Sequence, residues 1–182
     1  MRTTQFTKKS IIDIKNFDIL DFDTGGVYFL LSRIPEVQRH IFEQKSNISF
    51  INSPFQEAIK VPVFIKKKSK SFVSDIINEI NALKISNNRI DRFSLYEQIV
   101  IILYDQMKNK DIVVIETTGL DELSIIRLLN FTVNLSKVFT QKIIFIVENR
   151  LPIKDNSNII VQSVNAQFVN SIETDGLKNF FE

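Results

Sequence analysis

Apolar residues along this chain fall into runs of two kinds. Residues 27–31 (VYFLL), 111–116 (DIVVIE) and 142–148 (KIIFIVE) are short and nearly continuous, the pattern of strands covered on both faces. ISFI at 48–51 predicts a further short strand, and NIIVQSV at 158–164 another. Residues 11–20 (IIDIKNFDIL) alternate apolar and polar, the period of a half-buried strand. With 21–26 as the following turn, they predict a small N-terminal antiparallel element.

Between these strands the period changes to that of a helix. Pro35 suits a first helical turn, and Val37, Ile41 and Phe42 supply one apolar stripe. Residues 72–83 place Phe72, Val73, Ile76, Ile77, Ile80 and Leu83 at helical spacing, with SNN at 86–88 as a stop. Ser94 can cap the helix that follows it, with Glu97 three residues on completing a capping box. Residues 117–139 put Leu123, Ile126, Leu129 and Val133 on another helix, and GLKNFFE at 176–182 reads as a short tail. Strands alternating with helices predict an α/β fold: a mainly parallel sheet flanked by helices, with a helical insert over about 54–92 and one domain spanning 1–182.

Composition narrows the classes. At 182 residues, 44% apolar and 24% charged, the chain can bury a substantial core. A net charge of +2 announces neither a nucleic-acid nor a membrane partner, so placement of charge matters more than its sum. The absence of cysteine excludes disulfides and thiolate metal sites and fits a reducing compartment. The first ten residues carry charge without the apolar run of a signal peptide, and no window approaches the length of a membrane span, so the expected location is the cytoplasm. The four glycines, Gly25, Gly26, Gly119 and Gly176, are few for a protein that wraps backbone around phosphate.

GGVYFLLSRIPEVQRHIF, residues 25–42, is similar in layout to the opening of a P-loop domain: glycine pair, buried strand, turn, helix. A working loop needs GxxxxGK[ST], in which glycines let backbone amides converge on phosphate and the lysine neutralises it. With Ser32 at the first position, Val37 stands at the second glycine, Gln38 at the lysine and Arg39 at the magnesium-binding hydroxyl. None of the required groups is present, and Glu36 adds negative charge to the first turn. The stretch reads as a plain strand-to-helix turn.

The second half resembles an ABC ATPase. Phe93 to Gln98 overlie the LSGGEQ signature with both glycines replaced, and Glu116 lies near the catalytic glutamate while Ile115 replaces the magnesium aspartate. GLD at 119–121 follows after a one-residue deletion, and Glu148 takes the place of the switch histidine. Glu116 has two ordinary readings besides a general base: a strand-end residue facing solvent, or a cap acceptor for the next helix.

Gly25 and Gly26 with VYFLL, then NKDIVVIE and KIIFIVENRLP, also resemble the small DNA-binding adaptation protein of type II-A CRISPR systems, a degenerate relative of ABC ATPases. That resemblance implies a non-enzymatic, ring-shaped tetramer that encloses double-stranded DNA at free ends, with calcium as a possible cofactor. It also implies the integrase and the RNA-guided nuclease of spacer acquisition as partners. The usual members have a longer helical region between the halves, so their pore lysines do not map onto this chain one by one.

Positive charge is densest at Lys66, Lys67, Lys68 and Lys70, with Lys60 nearby, and Arg33, Arg39 and His40 rank second as candidates. A lysine run of this kind is often only a solvated loop. One subunit of this length, with a radius of gyration of about 16 Å, cannot surround a duplex, whereas a closed oligomer can. The solitary histidine, His40, reads as a surface helix residue, and the sixteen phenylalanines read as core. No acidic spacing of an EF-hand kind is present, so the metal ligands are open. Two rival functions remain: an inactive ABC-ATPase-like subunit that docks on a transporter or an active ATPase, and a divergent NTPase.

Overall fold

A computed structural model of the chain describes residues 9–32, 42, 47–51, 94–149 and 158–172. The expected helix at 72–83, the insert at 54–92 and the tail at 176–182 lie outside the described residues. Of the helix expected after Pro35, only Phe42 is described; it is helical and buried.

The strands are β1 (Ser10–Asp13), β2 (Val27–Leu31), β3 (Ile48–Ile51), β4 (Ile112–Glu116), β5 (Ile143–Glu148) and β6 (Asn158–Ser163). They form one six-stranded sheet in the order β1-β6-β2-β5-β4-β3. β2, β5, β4 and β3 pair in parallel, while β6 runs against both β2 and β1. The helices are α1 (Leu95–Asn109), α2 (Glu122–Ser136) and α3 (166–172). The expected class, a mainly parallel α/β sheet with an antiparallel N-terminal strand, is what the chain adopts.

The apolar strands bury both faces because alternate side chains leave a strand on opposite sides. Val27, Phe29, Leu31, Val113, Ile115, Ile144 and Ile146 face the layer built from α1, α2 and α3. Tyr28, Leu30, Val114, Ile143, Phe145 and Val147 face the other layer, where Phe17, Ile19, Phe22 and Phe42 cover them. Connection handedness accounts for this division. The chain crosses from β2 outward to β3 and then returns through β4 to β5, so right-handed crossovers place the outward and return connections on opposite faces.

Three features depart from the sequence reading. The N-terminal strand stops at Asp13 rather than running to Leu20, because Asp13 accepts a hydrogen bond from the Lys15 amide and Asp18 from that of Leu20. These local bonds compete with a ladder and turn Ile14–Asn16 and Ile19–Asp21 into short 3-10 helices. In α2 the expected Leu129 and Val133 are buried and Ile126 packs against the core, joined by Ile125, Leu128, Phe131, Thr132 and Leu135; Leu123, expected in the stripe, sits in the first turn and is 57% exposed. Finally, α3 follows β6 where no helix was expected. The Asn165 side chain accepts from the Phe168 amide at 2.9 Å, and Phe168, Val169 and Ile172 enter the core. The capping box at α1 is as expected, with the Ser94 amide donating to Glu97 at 2.7 Å and the Glu97 amide to Ser94 Oγ at 3.4 Å.

The glycine pair before β2 has a steric cause. Gly25 has φ 80°, and a Cβ there would lie 2.8 Å from the Thr140 carbonyl oxygen, while its amide donates to the Lys142 carbonyl at 2.7 Å. Next to it, a Cβ on Gly26 would meet the buried Tyr28 ring at about 2.5 Å. Gly25→Ala is therefore expected to cost about 1–3 kcal/mol through the left-handed backbone and the clash together. A melting temperature unchanged within a degree would show that the turn is not held as described.

Opposite the C-terminal ends of the parallel strands, Lys142 Nζ pairs with Asp111 at 2.9 Å, and Asn47 also donates to that carboxylate. The Lys142 hydrogen bond holds the Asp111 pKa below its ordinary value. The sign is that of a depressed acid: the contribution is present above the usual carboxylate range and is lost as pH falls through the folded pKa. Because Asp111 is well exposed, Asp111→Asn is expected to move the acid limb of stability only slightly, as read by thermal melts between neutral and strongly acid pH.

Candidate functional site

In open α/β sheets a ligand crevice forms at the carboxyl ends of the strands, where successive connections leave toward opposite faces. Here that place lies over β5, between the ends of β2 and β4. Its residues are Ser32, Glu116, Thr117, Thr118, Glu148 and Asn149.

The backbone closes this edge before any side chain is considered. The Ser32 amide donates to the Glu148 carbonyl at 3.2 Å, and the Thr117 amide to the Val147 carbonyl at 3.0 Å. Both bonds carry the ladder beyond the strand ends. Ser32, the residue at the first P-loop position, is 2% exposed. Its amide is committed to β5, whereas phosphate loops direct amides at the ligand.

The side chains form two separate groups. The Thr117 hydroxyl donates to Glu148 Oε2 at 2.6 Å and lies 3.1 Å from the Val147 carbonyl. Thr117 is fully buried and Glu148 is 3% exposed, so a carboxyl group takes up the floor at the end of β5. A buried carboxylate needs hydrogen-bond partners to offset its lost hydration, and Thr117 is one of them. In the second group, Thr118 Oγ1 donates to Glu116 Oε1 at 2.9 Å. The Asn149 side-chain Nδ2 donates to the same oxygen at 3.4 Å and to Thr118 Oγ1 at 3.1 Å.

Alternation keeps the two acids apart. Glu148 shares the parity of Ile144 and Ile146, which face the helices, whereas Glu116 shares that of Val114, which faces the other layer. They do not converge as a carboxylate pair. Among the described residues, no three histidine, cysteine or acidic side chains come together as metal ligands.

The ATPase-like positions that fall among the described residues have ordinary structural occupants, while Val37, Gln38 and Arg39 lie outside them. Ile115, at the magnesium aspartate, is packed between sheet and helices. Ser94 and Glu97, on the signature stretch, cap α1. Glu116 is a half-buried strand-end residue held by Thr118 and Asn149; it does not cap α2, because Asp121 accepts from the Ser124 amide at 2.7 Å. Gly119, with φ 87°, makes the turn between them. Lys60, Lys66, Lys67, Lys68, Lys70, Arg33, Arg39 and His40 lie outside the described residues. Thr117, Thr118 and Asn149 were not singled out in the sequence. The available signal was their position just beyond two apolar runs that end in glutamate.

Thr117→Val keeps the shape and removes the donor to Glu148. It is expected to destabilise the fold by about 1–3 kcal/mol, with Thr118→Val, half-exposed, costing clearly less. Equal losses in urea unfolding would mean that the buried pair has no special weight.

No helix among the described residues is long and apolar enough to cross a membrane. No protein-family model matches the chain, and no curated protein matches it. Among solved structures it is similar to cbiO1 from Clostridium perfringens, part of the ABC transporter complex cbiONQ, with 15% identity and a TM-score of 0.39 over 61% of this chain. The match covers 51% of that structure, so this chain spans about half its length, and the fold described here stands on its own strand order and register.

Proposed function

We propose that this protein is a non-hydrolysing binding protein that holds linear double-stranded DNA as a ring-shaped oligomer, a tetramer by family resemblance, during CRISPR spacer acquisition. The observation that supports the non-catalytic half is Glu148. A buried carboxyl group at the end of β5 occupies the crevice floor where a nucleotide hydrolase needs positive charge and free amides. Ser32 and Ile115 add to this, one amide being tied into the ladder and the other side chain packed in the core.

The DNA half rests on the lysine run and on the resemblance of the strand and helix pattern. Lys60, Lys66, Lys67, Lys68 and Lys70 supply the phosphate-neutralising charge in this reading, with Arg33 and Arg39 behind them. Calcium, the integrase and the RNA-guided nuclease enter on the resemblance alone.

The test pairs two measurements. Linear duplex is expected to shift on a gel at low salt while closed circular DNA of the same sequence does not, and the solution mass gives the oligomer. A chelator arm tests calcium. Calorimetric titration with ATP and magnesium is expected to give no heat up to millimolar nucleotide. Failure to bind any duplex at low salt overturns the DNA reading and favours a docking subunit; nucleotide binding, or turnover lost in Glu116→Gln, overturns the non-catalytic one.

A further inference from the structure

We draw no further inference here: the strongest candidate, the polar cluster of Glu116, Thr117, Thr118, Glu148 and Asn149 at the carboxyl ends of β4 and β5, belongs to the site already described, and its two acids, turned to opposite faces, have no second observation pointing to a ligand.

Discussion

Phe145→Ala is expected to remove about 3–5 kcal/mol of stability, a large part of the roughly 5–15 kcal/mol typical of a whole domain. Phe145 lies on β5, an interior strand of the parallel set, fully buried, and four aromatic rings converge on it. Phe22 meets it at 4.9 Å between ring centroids, Phe42 at 5.4 Å, Tyr28 at 5.6 Å and Phe17 at 6.2 Å. Those rings come from the N-terminal segment, from β2 and from the connection between β2 and β3. Truncating Phe145 therefore leaves a cavity at the centre of a ring cluster whose members also touch one another, Phe22 with Tyr28 at 4.8 Å and Phe17 with Phe42 at 5.7 Å. Close packing makes such a cavity costly, because its lining loses dispersion partners without gaining water. The measurement is urea unfolding followed by far-ultraviolet circular dichroism, in which the midpoint should fall with little change in slope. Phe145→Leu keeps much of the volume and should lose distinctly less. If both variants unfold within 1 kcal/mol of the parent, on the scale used for core truncations, the aromatic layer does not hold the N-terminal segment to the sheet.

The second large effect concerns DNA. If Lys66, Lys67, Lys68 and Lys70 of a subunit each neutralise one phosphate, counterion release predicts that log affinity falls with log salt at a slope of about −3.6 for each subunit engaged, or roughly a hundredfold per subunit between 50 and 200 mM salt. Replacing all four by glutamine should flatten that slope by nearly the same amount and weaken binding at low salt across all sequences alike. The slope separates this mechanism from general misfolding, since a partly unfolded protein loses amplitude without losing salt dependence in proportion. A quadruple variant with the parent slope would remove these lysines from the interface, whatever else binds DNA.

Much of the fold could be read from residue order. VYFLL, DIVVIE and KIIFIVE became β2, β4 and β5 nearly as expected, because a strand buried on both faces needs apolar side chains at every position and few other structures do. Ser94 with Glu97 marked the start of α1, since a cap is a local hydrogen-bond motif. Asp13 and Asp18 defeated the strand reading of 11–20 for the same local reason in reverse: short acidic side chains reached neighbouring amides before a ladder could. The helix at 166–172 was missed because its stripe is one turn long, too short for periodicity to separate it from a loop.

The site was legible only in part. The sequence expectation that Val37, Gln38 and Ile115 stand at phosphate and magnesium positions rests on the resemblance in layout, and of the three only Ile115 is among the described residues, packed in the core. The meeting of Thr117 with Glu148, 31 positions away, could not be foreseen, because it depends on β4 and β5 being neighbours in parallel register.

By itself the order of residues determined where the apolar strands β2, β4 and β5 and the capped start of α1 form, and that both faces of those strands are buried, since these depend on local hydrogen bonding, spacing and side-chain chemistry. Only the tertiary structure decided the strand order, the face on which each cluster lies, and the filling of the crevice floor by a carboxyl group. Those outcomes depend on contacts between segments far apart in the chain, made possible by crossover handedness and by the parity of each strand.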